Sequence, residues 1–127
     1  FHNEGHGKFA DVTKTAHLDQ SGWGNGVCAG DYDNDGHTDL YVTYYGRNLL
    51  QHNNGDGTFT DQAAHAAVAG SGREWSTGCT FVDYDRDGHL DLLVQQAAEG
   101  FHPRQIGVGV ALGLDDVLVV QESGIDW

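Results

Sequence analysis

Short runs of β-prone residues, bounded by glycine or by polar residues, recur along most of the chain. Runs of this length, rich in valine, leucine, tyrosine and threonine, predict β-strands. The clearest runs are residues 26–30, 40–43, 49–52, 78–82 and 90–94. No hydrophobic run in the sequence is long enough to cross a membrane as a helix. The pattern therefore predicts an all-β protein.

Turn residues divide these runs into a regular unit. Gly46-Arg47-Asn48 separates two of the predicted strands, and residues 54–57, with the sequence Asn-Gly-Asp-Gly, separate the next two. Asn-Gly and Asp-Gly dipeptides favour hairpin turns because they tolerate positive φ. One unit is therefore a strand, an acidic loop, a strand, a turn, a strand, a glycine-rich turn and a strand. Four antiparallel strands in about fifty residues are typical of one β-propeller blade.

The acidic loop of this unit occurs twice, at residues 31–39 and 83–91, with aspartate at loop positions 1, 3, 5 and 9 and glycine at position 6. Carboxylates at this spacing, around a glycine that permits a sharp turn, suit a hard cation such as Ca²⁺. The alternative is a purely structural Asx turn. The predicted ligands are Asp31, Asp33, Asp35 and Asp39 in the first loop, and Asp83, Asp85, Asp87 and Asp91 in the second.

These loops differ from the calcium loop of an EF-hand. An EF-hand loop lies between helices and ends with a bidentate glutamate at position 12. Position 12 is Val42 in the first loop and Val94 in the second, and both loops are flanked by β-prone runs. Each loop is therefore predicted to join two strands.

The repeat extends beyond the loops. Trp23 recurs as Trp75 at an offset of fifty-two residues, whereas residues 2–11 match residues 52–61 at an offset of fifty. The difference requires a short insertion between residues 62 and 74, and such insertions fall in loops. The first copy of the glycine-rich turn departs from the second at two of its residues, Glu4 and His6.

The combined pattern resembles the FG-GAP/VCBS repeats of integrin-α-type β-propellers, most closely those of cartilage acidic protein-like proteins. The resemblance covers residues 1–95 and rests on Trp-x-x-Gly, the loop Asp-Tyr-Asp-x-Asp-Gly-x-x-Asp-Leu, and Asn-Asn-Gly-Asp-Gly-Thr-Phe-Thr-Asp. It implies a fragment of a β-propeller with two calcium sites and an extracellular location. It also implies that the backbone carbonyls of His37 and His89 act as ligands at position 7 of each loop.

Net charge narrows the range of partners. The chain has a formal net charge of −13, so nucleic acids and anionic membranes are poor partners. Four carboxylates crowded into each loop repel one another without a cation, so bound metal is expected to contribute to folding. Propellers usually contain four to eight blades, and this chain holds roughly two. We therefore expect a piece of a longer protein, poorly folded or self-associating in isolation, with the remaining blades as its partners.

The two cysteines are not expected to form a disulfide. In the repeat alignment Cys28 matches Thr80 and Cys79 matches Val27, so the cysteines are one residue out of register. They should then point to opposite faces of equivalent strands. Buried free thiols are the prediction, and the extracellular assignment rests on the resemblance and on the acidic loops.

Residues 97–127 do not continue the repeat, and they contain no acidic loop. Residues 117–120 could form one more strand. A divergent blade, a cap, and sequence altered by truncation or a shifted reading frame are all open interpretations. We assign this segment no function, and we place the two repeats in residues 1–96.

Other side chains offer alternatives to a metal-binding scaffold. The imidazoles of His37 and His89 could serve as catalytic bases or transition-metal ligands, but we expect them to face solvent; His2 and His52 are interpreted as strand or turn residues. Trp23 and Trp75 are expected to pack between blades, the alternative being a platform for glycan stacking.

The sequence thus favours a non-enzymatic, extracellular calcium-binding scaffold that recognises a protein or a glycan. A propeller domain within a secreted enzyme acting on polysaccharide is the main alternative, and a structural spacer is a third.

Overall fold

The computed structural model describes residues 1–97 in full and the backbone of residues 106–111, and these residues form nine strands. The strands are β1 (His2–Gly5), β2 (Lys8–Ala10), β3 (Gly24–Gly30), β4 (Asp39–Tyr44), β5 (Leu49–Asn53), β6 (Phe59–Asp61), β7 (Trp75–Val82), β8 (Asp91–Ala97) and β9 (Ile106–Ala111). Among the described residues no helix is long and apolar enough to cross a membrane.

The strands form three antiparallel sheets in which sequence neighbours are also neighbours in space. The first sheet is β1–β2, the second is β3–β4–β5–β6, and the third is β7–β8–β9. The second sheet is the complete four-stranded unit that the sequence predicts, with the first acidic loop between β3 and β4. The predicted all-β class and the arrangement of a propeller fragment are confirmed.

The first sheet corresponds to the outer hairpin of a blade. Its turn contains Gly5 and Gly7 at φ 81° and 75°, as the β5–β6 turn contains Gly55 and Gly57 at 75° and 88°. His6, one of the departures from the repeat, adopts φ 51° and does not prevent the hairpin. The described residues therefore contain the outer half of one blade, a whole blade, and three strands of the next.

Strand β9 extends the third sheet beyond residue 97. It pairs antiparallel with β8, placing Ala111 opposite Leu92 just as Gln51 lies opposite Leu40 in the second sheet. The start of the divergent tail thus takes the place that β5 holds in the complete blade. The possible strand at residues 117–120 lies outside the described residues.

The inner strands β3 and β7 pack closely, and two glycines make this possible. A Cβ on Gly26 would lie 3.2 Å from the Thr77 carbonyl oxygen and 3.3 Å from the Gly78 Cα. A Cβ on Gly30 would lie 2.9 Å from the Phe81 ring. The face of β3 that carries these glycines therefore lies against β7.

Cys28 and Cys79 form a disulfide across this contact, with their Cα atoms 5.7 Å apart, so the prediction of free thiols is wrong. The alignment correctly places the two cysteines on opposite faces of equivalent strands. Blades, however, stack with one face of a sheet against the opposite face of the next. Opposite faces of neighbouring inner strands therefore meet, and the shift of one residue brings the sulfur atoms together.

A hydrophobic core fills the space between the second and third sheets. Its buried residues are Tyr41, Leu50, Ala63, Val68 and Leu92. The Tyr41 hydroxyl donates a hydrogen bond to the Val68 carbonyl at 2.6 Å. Burial raises the pKa of Tyr41 to about 12. The two sheets are thus joined by apolar packing as well as by the disulfide.

A hydrogen-bonded turn segment follows strand β6, and a similar segment follows strand β2. The Asp61 carboxylate accepts the Ala63 N–H at 3.0 Å, and the Asp11 carboxylate accepts the Thr13 N–H at the same distance. In the later copy the Val68 N–H then donates to the Ala63 carbonyl at 2.9 Å. This turn carries Val68 into the core.

Candidate metal centre

The first acidic loop folds around its own carboxylates. The Asp31 carboxylate accepts the N–H groups of Asp35 at 3.0 Å and of Gly36 at 2.9 Å. The Asp35 carboxylate accepts the His37 N–H at 2.8 Å. Gly36 has a φ of 88°, which the glycine at loop position 6 permits. These bonds orient the position 1 and position 5 carboxylates.

The second loop has the same backbone arrangement. The Asp83 carboxylate accepts the N–H groups of Asp87 and Gly88, both at 3.2 Å. The Asp87 carboxylate accepts the His89 N–H at 2.8 Å, and Gly88 has a φ of 91°. The repeated sequence therefore produces a repeated local structure.

Carboxylates converge in both loops. Oxygen atoms of Asp31, Asp33 and Asp35 lie within 4.8 Å of one another, and so do those of Asp83, Asp85 and Asp91. Three carboxylates at this spacing are a donor set that fits a hard divalent cation. Six of the eight predicted aspartates thus belong to these two groups.

The remaining two aspartates occupy different surroundings. Asp87 lies in the second loop, outside the group that converges there, and accepts the His89 N–H. Asp39, which has no exposed surface, accepts the Asn53 N–H at 2.7 Å and the Tyr32 N–H at 3.2 Å. Burial raises the pKa of Asp39, and the two N–H donors act in the opposite direction. Asp39 therefore joins the first loop to strand β5.

His52 completes a second group at the first loop. Its Nδ1 lies 3.2 Å from the Asp33 carboxylate and 3.4 Å from the Asp39 carboxylate. Its ring also meets the Tyr32 ring edge-on, with centroids 6.2 Å apart. The three donors of Asp33, Asp39 and His52 form a candidate metal group that shares Asp33 with the loop cluster.

The interpretation of the sequence missed His52 as a site residue. The predicted hairpin could have indicated it, because a short turn between residues 43 and 49 requires the two flanking strands, β4 and β5, to pair antiparallel. Gln51 lies opposite Leu40 in that pairing, so the next residue on β5 lies beside Asp39.

A cavity of about 420 Å³ borders the first loop. Its lining residues are Tyr32, Asp33, His52, Gln62, His65 and Ala66. Two of them, Asp33 and His52, also belong to the candidate metal group. The first site therefore has space beside it for water or for another ligand.

The imidazoles of His37 and His89 lie outside the three candidate metal groups of the described residues. Both residues are exposed. The His37 ring packs over Gly55, where an added Cβ would lie 2.6 Å from Nε2. His89 Nδ1 lies 3.2 Å from the Asn34 amide nitrogen. The role of the two backbone carbonyls at position 7 stays a prediction.

The Asn34 side chain links the two loops. Its amide nitrogen donates to the Gly88 carbonyl at 3.1 Å. Adjacent acidic loops therefore lie side by side at one end of the paired sheets.

The two tryptophans of the repeat differ in their contacts. Trp23 is 81% exposed; the described residues contain only the outer hairpin of the preceding blade, so the packing of Trp23 between blades stays a prediction. Trp75 is 41% exposed and meets the Tyr45 ring edge-on at 6.2 Å.

Comparison with known proteins supports the repeat assignment. Residues 1–42 and 31–94 match the FG-GAP-like repeat. Cartilage acidic protein 1 of Homo sapiens is 34% identical to the chain over 84 residues, and that of Mus musculus is 33% identical over the same length. Each alignment covers 65% of this chain and 13% of the relative, so the chain corresponds to a small part of those proteins.

Proposed function

Because the chain belongs to the FG-GAP-like repeat family, we propose that its two acidic loops bind Ca²⁺ and thereby stabilise a non-enzymatic scaffold for recognition outside the cell. The observation that carries this proposal is the convergence of three carboxylates in each of two loops with the same hydrogen-bonded backbone. A shared backbone makes the loops two copies of one site.

The ligands of each proposed site come from one loop. The first site uses Asp31, Asp33, Asp35, Asp39 and the His37 carbonyl; the second uses Asp83, Asp85, Asp87, Asp91 and the His89 carbonyl. Calcium supplies positive charge that offsets the repulsion among the carboxylates. The loop N–H groups already orient Asp31 and Asp83, so the chain needs little rearrangement to receive the ion.

An extracellular location is supported by two observations. The disulfide between Cys28 and Cys79 joins neighbouring sheets, and disulfides persist mainly in oxidising environments. The similar proteins are named cartilage acidic proteins. We therefore place the chain in a secreted or cell-surface protein.

The proposed partners are further blades and an external ligand. Val27 on β3 is 63% exposed, and Tyr84 of the second loop is 69% exposed. They belong to the sheets on either side of the disulfide-linked contact, so additional blades of the same propeller fit against both ends. A protein or glycan ligand would then bind loops contributed by several blades.

We propose a scaffold rather than an enzyme because the aspartates are assigned as ligands of a cation that is a poor activator of water. Calcium prefers several oxygen ligands in a flexible geometry, and metal-assisted hydrolysis needs an open coordination position.

Titration calorimetry of the chain with Ca²⁺ and with Mg²⁺ tests the proposal. We expect two bound Ca²⁺ per chain and weaker binding of Mg²⁺, because Mg²⁺ demands near-ideal octahedral geometry. Titration after exhaustive treatment with chelator provides the apo reference. Heat signals indistinguishable from dilution with Ca²⁺ would rule the proposal out.

A further inference from the structure

The Asn34 side chain of the first acidic loop reaches into the second loop. Asn34 stands at loop position 4, between the predicted ligands Asp33 and Asp35. Its amide nitrogen donates a hydrogen bond to the Gly88 carbonyl at 3.1 Å and lies 3.2 Å from His89 Nδ1. The amide of one loop therefore contacts both residues of the peptide unit that joins Gly88 to His89 in the other.

The backbone of the first loop directs this side chain. Asn34 has a φ of 58°, in the left-handed region that asparagine tolerates better than most residues. The N–H of the next residue, Asp35, donates to the Asp31 carboxylate at 3.0 Å, which holds the turn in place. Arg86, at position 4 of the second loop, has a similar φ of 64°. The two loops therefore share a backbone conformation at position 4 and differ in the side chain there.

The peptide that Asn34 contacts is central to the second loop. The Gly88 N–H donates to the Asp83 carboxylate at 3.2 Å, and the His89 N–H donates to the Asp87 carboxylate at 2.8 Å. A turn of this peptide would move both carboxylates and the His89 carbonyl, and all three groups are proposed ligands. Gly88 has a φ of 91°, and glycine restricts its own backbone little. A hydrogen bond from outside the loop can therefore restrain the peptide.

We propose that Asn34 is a positioning residue of the second calcium site, which is therefore completed by a side chain from the neighbouring blade. The inference rests on the proposed calcium-binding function and adds a residue that lies outside the second loop. Strands β3 and β7 lead into the two loops, and the Cys28–Cys79 disulfide joins these strands. The disulfide thus helps to keep the amide and the Gly88 carbonyl within hydrogen-bond distance.

A calcium titration followed by nuclear magnetic resonance reads the two loops separately. The N–H groups of Gly36 and Gly88 donate to the position 1 carboxylates of their own loops, so their signals report the occupation of each site. We expect Asn34→Gly to weaken Ca²⁺ binding at the second loop by roughly 2–10-fold, the effect of one neutral hydrogen bond. Binding at the first loop should change less, because Asn34 is not one of its proposed ligands.

Arg86→Gly is the matched control. It removes the position 4 side chain from the second loop and introduces the same glycine flexibility at a similar φ. The compared quantity is the effect of each variant on the other loop. We expect Arg86→Gly to leave the affinity of the first loop unchanged, whereas Asn34→Gly weakens the second.

A measurement on the unaltered chain does not depend on a variant that folds. With Ca²⁺ bound, we expect a nuclear Overhauser contact between the Asn34 side-chain NH₂ protons and protons of Gly88 or His89. Absence of this contact in the calcium-bound chain would overturn the inference.

The outcomes separate this inference from the proposed function. Ca²⁺ binding at both loops, with an unchanged second site in Asn34→Gly, would overturn the inference and leave the proposed function standing. Equal weakening of both loops in Asn34→Gly would indicate general destabilisation and would also overturn it. If Ca²⁺ shifts neither glycine signal in the unaltered chain, the proposed function fails and the inference fails with it.

Discussion

The two acidic loops have nearly the same sequence and backbone but different neighbours. In both, the position 1 aspartate accepts the N–H groups of residues 5 and 6, and the position 6 glycine adopts positive φ. The first loop is also contacted by β5, which brings His52 to Asp33 and Asp39. In the third sheet, the corresponding strand β9 is described only to Ala111, the counterpart of Gln51.

The same contrast appears in the tyrosine at position 2. Tyr32 of the first loop packs edge-on against His52 and is partly buried, whereas Tyr84 of the second loop is 69% exposed. Burial, followed by the charges of Asp33, Asp39 and Asp35, raises the pKa of Tyr32 to about 12. The strand β5 packed against the first loop therefore sets the surroundings of Tyr32.

The largest expected effect is a loss of stability on removing the disulfide that joins the two sheets carrying the acidic loops. We expect the double variant Cys28→Ser with Cys79→Ser to lose roughly 2–5 kcal/mol of unfolding free energy, the usual cost of removing a native disulfide. Urea denaturation with and without reductant measures it. Reductant should lower the urea midpoint of the unaltered chain and leave that of the double variant unchanged. Equal midpoints for the two proteins without reductant would mean that the disulfide does not stabilise the fold.

Single ligand substitutions test whether the loops act as separate sites. We expect Asp33→Ala to weaken Ca²⁺ binding at the first loop and Asp85→Ala at the second, each leaving the other loop intact. Calcium stabilises the folded state by mass action, so each variant should lower the melting temperature only when calcium is present. Calorimetric titration and thermal melting with and without chelator measure both effects. Equal melting shifts in the two conditions would argue against the ligand assignment.

Alkaline pH tests the packing between the two sheets. Tyr41 has a pKa raised to about 12 in the folded state by burial, against an unperturbed value of about 10. The folded state therefore holds its proton more tightly, and the resulting stabilisation is present below pH ~10 and lost as the pH rises toward ~12. Urea denaturation at a series of pH values should show this loss, and Tyr41→Phe should show a smaller one. An identical pH dependence in the variant would mean that Tyr41 is not responsible.

The smallest expected effect comes from the two histidines at position 7. We expect His37→Ala combined with His89→Ala to leave Ca²⁺ affinity nearly unchanged, because any residue can supply a backbone carbonyl. Calorimetry on the double variant measures the affinity. A large loss of binding would place the imidazoles among the ligands and would favour a transition-metal site.

The local structure of this protein could be predicted from its sequence. The strands, the glycine-rich turns and both acidic loops follow from β-prone runs, from glycine at positive φ, and from aspartate oxygens placed beside N–H groups a few residues away. The repeat then gave the order of strands within a blade. All of these depend on residues close together in the chain, so local chemistry is sufficient to specify them.

Which distant residues meet depends on how the sheets pack against one another, and the sequence pattern did not predict it. The Cys28–Cys79 disulfide depends on one face of a sheet stacking against the opposite face of the next, and a comparison of repeat positions alone pointed the other way. His52 becomes a site residue because the register of β5 on β4 places it beside Asp39. In each case the outcome depends on how sheets and strands pack together, and the residues that pack together are far apart in sequence.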